Sequence, residues 1–326
     1  MNFMTEAQAY EGEMREFFED LHRHPESSHF EKRTNVRIRE QLAAHGIDML
    51  CPADNITIAV IRGAKPGRTI GLRFDTDALQ MQEICDVPYK SEQDGLMHGC
   101  GHDAHTTCGV FVARLLQAHR DELCGTYKII FQPAEEGVRG AQSIAEGGIL
   151  DDVDYLLTGH LGMGWNTGSL VALSKGFLST TKVDAEFKGV SAHAGMSPQD
   201  GKNAILAACS ATLAMHTACQ DSRGASRINV GTIQGGSGRN VVPADAMIRF
   251  ETRGETADIQ ELVLKKAMNA VNGAAEMFDC SVDTKIMGSA SSADSSAELE
   301  PFIRAGAARI PEITNYVKEA AFSGSE

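Results

Sequence analysis

The sequence predicts an α/β fold interrupted by a smaller α+β domain, and three observations predict it. Helical segments and apolar strand segments alternate through the first half. From about Thr180 the strands change to period two, with two helices lying between them. The small polar tract over 288–296, GSASSADSS, then separates this block from a tail. Strand–helix alternation implies a sheet with helices on its faces, whereas period-two strands imply a half-exposed antiparallel sheet. At 326 residues with 42% hydrophobic side chains, the chain can form two cores without disulfide staples.

The elements follow in order. An acidic helix is expected over 5–21 and another over 33–45, then ITIAVIRG and TIGLRFD as strands of a parallel sheet. After a glycine-rich stretch over 97–105, TTCGVFVARLLQAH has helical apolar spacing, and YKIIFQ reads as a buried strand closed by Pro133. A helix over 141–150 leads into DYLLTGH, a short strand ending at His160. In the second block, KVDAEFKG, RINVGTIQ, AMIRFETR and SVDTKI are strands, with helices over 202–217 and 256–277. Their order is the split βαβ of a ferredoxin-like domain. The expected division is therefore 1–179 with 289–326 as one domain and 180–288 as the insertion. After a helix candidate through Gly306 the chain stops at AAFSGSE with no element to complete a layer, so it is expected to have continued past Glu326.

Charge and composition narrow the function classes. With 44 acidic against 30 basic residues the net charge is −14, which argues against nucleic acid or an anionic membrane as partner. The N-terminus lacks a cationic and an apolar signal region and no run of about 18 apolar residues occurs, so a cytoplasmic protein is expected. Cys51, Cys85, Cys100, Cys108, Cys124, Cys209, Cys219 and Cys280 show no paired spacing, which fits a reduced compartment and mostly buried thiols. The absence of any CxxC argues against a redox or structural-zinc protein.

Three segments can carry chemistry. MHGCGHDAH places Cys100, His98, His102 and His105 in one compact loop, a donor set that suits a divalent transition metal; the alternative is a helix start capped by Asp103. QPAEEG follows a strand, and its adjacent carboxylates, Glu135 and Glu136, point different ways. One can bind a metal while the other serves as general base, or both can belong to a solvated acidic turn. His160 taken singly reads as a core histidine. Together, Cys100, His102, one glutamate and His160 all follow strands of one sheet. Such a set suits two zinc or manganese ions about 3.5–4 Å apart.

These segments also carry a resemblance. MHGCGHDAHT, FQPAEEGVRGA, DDVDYLLTGHLG, FKGVSAHAGMSPQDGKNAILAA and GGSGRNVVPADAMIRFETRG resemble the aminoacylase and carboxypeptidase type of metal-dependent amidohydrolase, from about residue 18 to 326. Within it they are most similar to the subgroup hydrolysing hippurate, indole-3-acetyl-amino acids and p-aminobenzoyl-glutamate. The resemblance implies a zinc-aminopeptidase-like catalytic domain with a mixed, largely parallel sheet, interrupted by a lid domain that dimerises with the same chain or a related subunit. It implies two divalent ions per subunit, Mn2+ or Zn2+, held by Cys100, His102, Glu136 and His160, with Cys100 shared and Glu135 as general base. Asp77 would orient a ligand or make a structural hydrogen bond. His193 would stabilise the oxyanion and Asn240 bind substrate polar groups, while Arg239 would meet the substrate carboxylate or form a surface ion pair. The implied substrate is an N-acyl or N-aroyl amino acid, first p-aminobenzoyl-glutamate, then an indole-3-acetyl-amino acid or hippurate. Family members continue past GSE and supply a further ligand histidine. The C-terminal part of the catalytic domain is thus expected to be missing, and a catalytically silent partner subunit is the alternative.

Overall fold

The computed structural model describes residues 3–137, 140–162, 164–322 and 324. They form two compact units, Met1–Asn166 and Thr167–Glu326.

The first unit runs α1 (Phe3–Ala9), α2 (Glu11–Arg23), α3 (Lys32–Ala44), β1 (Asp48–Ala53), β2 (Ile56–Arg62), β3 (Lys65–Asp75), α4 (His102–Ala118), β4 (Cys124–Gln132), α5 (Gly140–Glu146) and β5 (Tyr155–Thr158). The single helix expected over 5–21 is two, because the chain makes a turn at Tyr10, whose N–H bonds to the Ala7 carbonyl. The sheet order is β1-β2-β4-β3-β5. Strand β3 is parallel to both β4 and β5, while β2 is antiparallel to β4 and β1 to β2. The sheet is thus mixed, and of the two strands expected to be parallel, β2 runs the other way. Only Gly63 and Ala64 join β2 to β3, far short of the crossover that parallel strands need.

Both faces of this sheet are covered. Phe17, Leu21, Ile38, Leu42, Val110 and Phe111 of α2, α3 and α4 pack with Ile129 and Phe131 on one face. Ile144 of α5 packs with Ile56, Ile58, Val60 and Ile130 on the other. Each such side chain contributes about 1.5–3 kcal/mol by leaving water.

The second unit runs β6 (Ser169–Lys175), β7 (Ser179–Lys188), β8 (Ala192–His193), α6 (Ala204–Met215), β9 (Ser226–Gly235), β10 (Val241–Val242), β11 (Asp245–Gly254), α7 (Ala257–Met277), β12 (Ser281–Ala290), α8 (Glu300–Ala307) and β13 (Asn315–Ala321). Its four-stranded antiparallel sheet has the order β12-β7-β11-β9, the ferredoxin-like arrangement that the strand–helix order predicts. Val183, Phe187, Ile248 and Phe250 face Met215 of α6 and Val263 and Val271 of α7. Asn203 and Thr256 cap the two helices, accepting from the Leu206 and Ile259 amides.

Two expectations are corrected. The tail is not without a final element: Asn315–Ala321 is a strand, parallel to β6. NYVKEAA lacks apolar alternation, so pairing with β6, which the sequence reading did not identify either, makes it a strand. Through that pairing, residues of the 289–326 tail lie in the second unit. Nor are the cysteines buried, for five of the eight are exposed and three intermediate. Cys209, for example, lies off the α6 face that buries Ala207, Ala208 and Ala211. Among the described residues, no helix is long and apolar enough to cross a membrane.

A buried ion pair ties α2 to α4. His22 Nδ1 lies 2.6 Å from Asp103 Oδ2 and Nε2 lies 3.3 Å from Glu83 Oε1. Because both partners accept, the ring holds protons on both nitrogens, and the Asp103 hydrogen bond, offset in part by burial and helped by Glu83, raises His22 above 6.5. A value raised by folding stabilises fully below the unfolded pKa of about 6.5 and is lost as pH rises through the folded value. The melting-temperature gap between wild type and His22→Asn is therefore expected to narrow from about pH 6 to about pH 9. A gap independent of pH would show that the pair contributes by packing alone.

Candidate metal centre

Strands β3, β4 and β5 end at one edge of the sheet, where ligands gather in open α/β folds. Strand β3 ends at Asp75 and runs on to Asp77; its long loop delivers Cys100 and His102 at the start of α4. Glu135 and Glu136 follow β4, and His160 follows β5.

The structure brings these predicted residues together. Donor atoms of Cys100, His102 and Glu136 lie within 4.8 Å of one another. Cys100 Sγ is 3.5 Å from His160 Nε2, and Glu135 Oε2 is 3.9 Å from His102 Nε2, outside that donor cluster.

Local backbone geometry fixes each side chain. Gly101 takes φ +87°, which lets the loop turn directly into α4 and sets His102 and His105 on its first turn, three residues apart and on one face. Ala134 takes φ +53°, a strained value for a residue with a Cβ. It is held there by fully buried Glu31, whose Oε1 accepts from the Ala134 amide at 2.7 Å and the His29 amide at 3.0 Å. Burial pushes the Glu31 carboxyl up, and hydrogen bonds from its own and the Ala134 amides and the Asn55 side chain oppose the rise. Asp77 accepts from the next two amides, Glu135 and Glu136, at 3.1 Å each. Two buried carboxylates thus grip three consecutive amides, and the glutamate side chains diverge from a fixed backbone. Gly140 closes this loop where a Cβ would lie 1.6 Å from the Pro133 carbonyl oxygen. Val138 and Arg139 of the motif lie outside the described residues.

Asp77 also orients His102. Its carbonyl accepts the Nδ1–H of His102 at 2.8 Å, so Nε2 is the nitrogen left to face the centre. That nitrogen is buried and makes no hydrogen bond. An orphaned buried nitrogen beside a thiol and a carboxylate fits a divalent transition metal, which would complete it.

The electrostatics agree. Burial would lower His102, but the neighbouring Asp77 and Cys100 side chains and the Asp75 carboxylate push it up to about 11. The Cys100 hydrogen bond pushes His160 up to about 9, and His102 and His160 in turn lower the Cys100 thiol. Burial opposes, but hydrogen bonds from His102 and Ser28 hold Asp77 below the usual carboxylate range. The centre draws positive charge onto its nitrogens, and a metal ion would take the place of those protons.

Sequence reasoning passed over Asp75 and left His105 among the loop histidines without a role. The His105 Nδ1 lies 2.6 Å from Asp75 Oδ1, and both belong to a second group of metal-capable donors with His102 and His160. The available signals were the FDTD doublet of aspartates and the three-residue spacing of His102 and His105. His98 belongs to neither group; burial holds it down at about 4, hence neutral.

The remaining predicted residues lie in the second unit. His193 is exposed, and its Nδ1 accepts from the Gly195 and Met196 amides at 3.1 and 3.2 Å, which places its proton on Nε2. Val241 is its partner across the short β8–β10 pairing, and Asn240, just before Val241, accepts the Ala194 amide on its carbonyl. Arg239 is exposed and, among the described residues, forms no ion pair, so the surface ion pair open to it is not made.

Comparison with known proteins agrees with this geometry. The model of peptidase family M20/M25/M40 matches residues 71–324. The chain is 38% identical to indole-3-acetyl-aspartic acid hydrolase of Enterobacter agglomerans, over 96% of this chain and 83% of that one. It is 43% identical to one subunit of the p-aminobenzoyl-glutamate hydrolase of Escherichia coli, over 82% of this chain but only 64% of the relative's length. A solved dinuclear metal-binding peptidase from Bacillus subtilis superposes with a TM-score of 0.72 at 27% identity, covering 98% of this chain and 85% of that one. A sulfur, nitrogen and oxygen donor cluster at the strand ends and a family match over most of the chain lead to one conclusion: the chain belongs to the M20/M25/M40 family of metallopeptidases.

Proposed function

We propose that this protein hydrolyses the amide between an acyl or aroyl group and an amino acid, acidic ones first, with p-aminobenzoyl-glutamate as first substrate. Indole-3-acetyl-aspartate is the next substrate, and a hippurate-like compound the third. The reading is carried by the clustering of Cys100, His102 and Glu136, with His160 on the Cys100 sulfur and Glu135 beside but outside the cluster. The acidic amino acid is supported by the names of two relatives, one a glutamate and the other an aspartate conjugate hydrolase.

Cys100, His102, Glu136 and His160 would hold two divalent ions, manganese or zinc. When bound, such ions polarise an amide carbonyl and acidify water. Glu135 removes the proton of the attacking water and returns it to the leaving amine nitrogen. Asp77 and Glu31 keep its backbone in place. His193 is the proposed donor to the developing oxyanion, a role its Nε2–H suits, and Asn240 and Arg239 are the proposed contacts to substrate polar groups and carboxylate. Residues 1–179 with 289–326 are proposed as the catalytic domain and 180–288 as the lid, which dimerises with a second copy or a related subunit in the cytoplasm.

The test is hydrolysis by metal-stripped protein reloaded with manganese or zinc, on p-aminobenzoyl-glutamate, indole-3-acetyl-aspartate, hippurate and a plain dipeptide. The expected result is metal-dependent cleavage, fastest on the glutamate or aspartate conjugate. Protein that holds two ions per chain and cleaves none of the four would overturn the reading.

A further inference from the structure

His105 sits where a metal ligand could sit. Its ring stacks with His102 at 5.6 Å between centroids and meets the His160 ring edge-on at 4.5 Å. One of its nitrogens lies within 4.8 Å of donor atoms of Asp75, His102 and His160. The hydrogen bonds give it a different task. An amide N–H can only donate, so the Leu161 N–H, 2.9 Å away, takes the lone pair of His105 Nε2. The Asp75 carboxylate can only accept, so the 2.6 Å contact places the ring proton on Nδ1. A neutral imidazole has one lone pair and one N–H, and here both are spent. Ligation through Nε2 would leave the Leu161 amide without its acceptor.

Asp75 is itself held on its other oxygen, by Arg73 Nη1 at 2.8 Å, and Arg73 Nε donates to Gln132 at 2.9 Å. At the far end, the carbonyl of Leu161 accepts from His160 Nδ1 at 2.9 Å. The Leu161 residue is thus gripped on its N–H by one histidine while its carbonyl sets the tautomer of the next. That leaves His160 Nε2 facing Cys100 Sγ at 3.5 Å.

We propose that His105 is a positioning residue and no metal ligand: the relay Arg73–Asp75–His105–Leu161 fixes the segment that carries His160 and so aims His160 Nε2 at the Cys100 sulfur. The inference rests on the ligand set of the proposed function and goes beyond it by assigning four residues which that set leaves out. It accounts for a buried arginine and a buried aspartate, each nine-tenths or more out of solvent, in terms of one ligand's orientation.

The test compares His105→Gln and His105→Ala with wild type, using cadmium as the probe. Ions per chain, affinity by competition with a chelator, and the cadmium–thiolate absorption are recorded, together with the melting of metal-free protein. A glutamine can place its amide oxygen where Nε2 was and accept the Leu161 N–H, so His105→Gln is expected to bind two ions within about tenfold of wild-type affinity. His105→Ala is expected to weaken binding by about 10–100-fold, as lost supports of metal ligands do, yet still to reach two ions at saturation with the thiolate band intact. A fall to one ion at saturating cadmium, in either variant, would make His105 a ligand and overturn the proposal, as would equal losses in both. If His105→Ala does not fold, the glutamine variant decides alone, since it has no ring nitrogen to ligate. Wild type that binds no ion refutes the ligand set itself, which separates failure of the proposed function from failure of the relay.

Discussion

Replacing Glu135 by glutamine is expected to lower kcat on the preferred acylamino acid by about 10²–10⁴-fold while the metal content stays at two ions per chain. The size is nearly unchanged, and only the capacity to take up a proton is lost. The backbone at this position is anchored independently of the side chain, since its amide donates to Asp77 and the preceding amide to Glu31. The loop should therefore keep its strained turn at Ala134, and with it the orientation of Glu136. KM is expected to move little, because the missing group acts on the water and the leaving nitrogen and leaves substrate binding intact. Steady-state kinetics and metal analysis on the same sample check this. An unchanged kcat would remove Glu135 from the role of base, and loss of an ion would recast it as a ligand.

The second large effect is expected at Cys100. Cys100→Ser should abolish measurable hydrolysis and weaken metal binding by at least about 100-fold, since even residues that merely support ligands cost about 10–100-fold. The thiol is lowered by His102 and His160, so the thiolate forms readily where the ion would sit. A serine hydroxyl has nearly the same shape and cannot ionise under those conditions. Cys100 is half-buried and serine nearly matches its shape, so the metal-free variant should melt close to wild type. Titration with zinc or manganese against a chelator reads the effect. Retention of two tightly held ions and of activity would remove the thiolate from the ligand set.

Much of this was legible in the sequence because it is encoded locally. The ferredoxin-like order of the second unit follows from period two in its strands and apolar spacing in α6 and α7. Cys100 and His102 declare themselves by spacing within one loop, and Glu135 and Glu136 by adjacency after a buried strand. His160 was the weakest of the set in isolation, and gained its meaning only from the others.

What the tertiary structure decided are the relations between residues far apart in the chain. Strand order turned β2 antiparallel, and pairing with β6 made a strand of NYVKEAA, because hydrogen-bonded neighbours override weak local preference. Distance also hid the supports of the site. Glu31 reaches an amide 103 residues away, Asp77 two amides 58 and 59 away, and Asp75 a histidine 30 away. A sequence reveals which donors and acceptors exist and the period in which they face a core. Which lone pair meets which N–H depends on how the strands are ordered, so the hydrogen-bond partners of His102, His105 and His160 were decided by the fold alone.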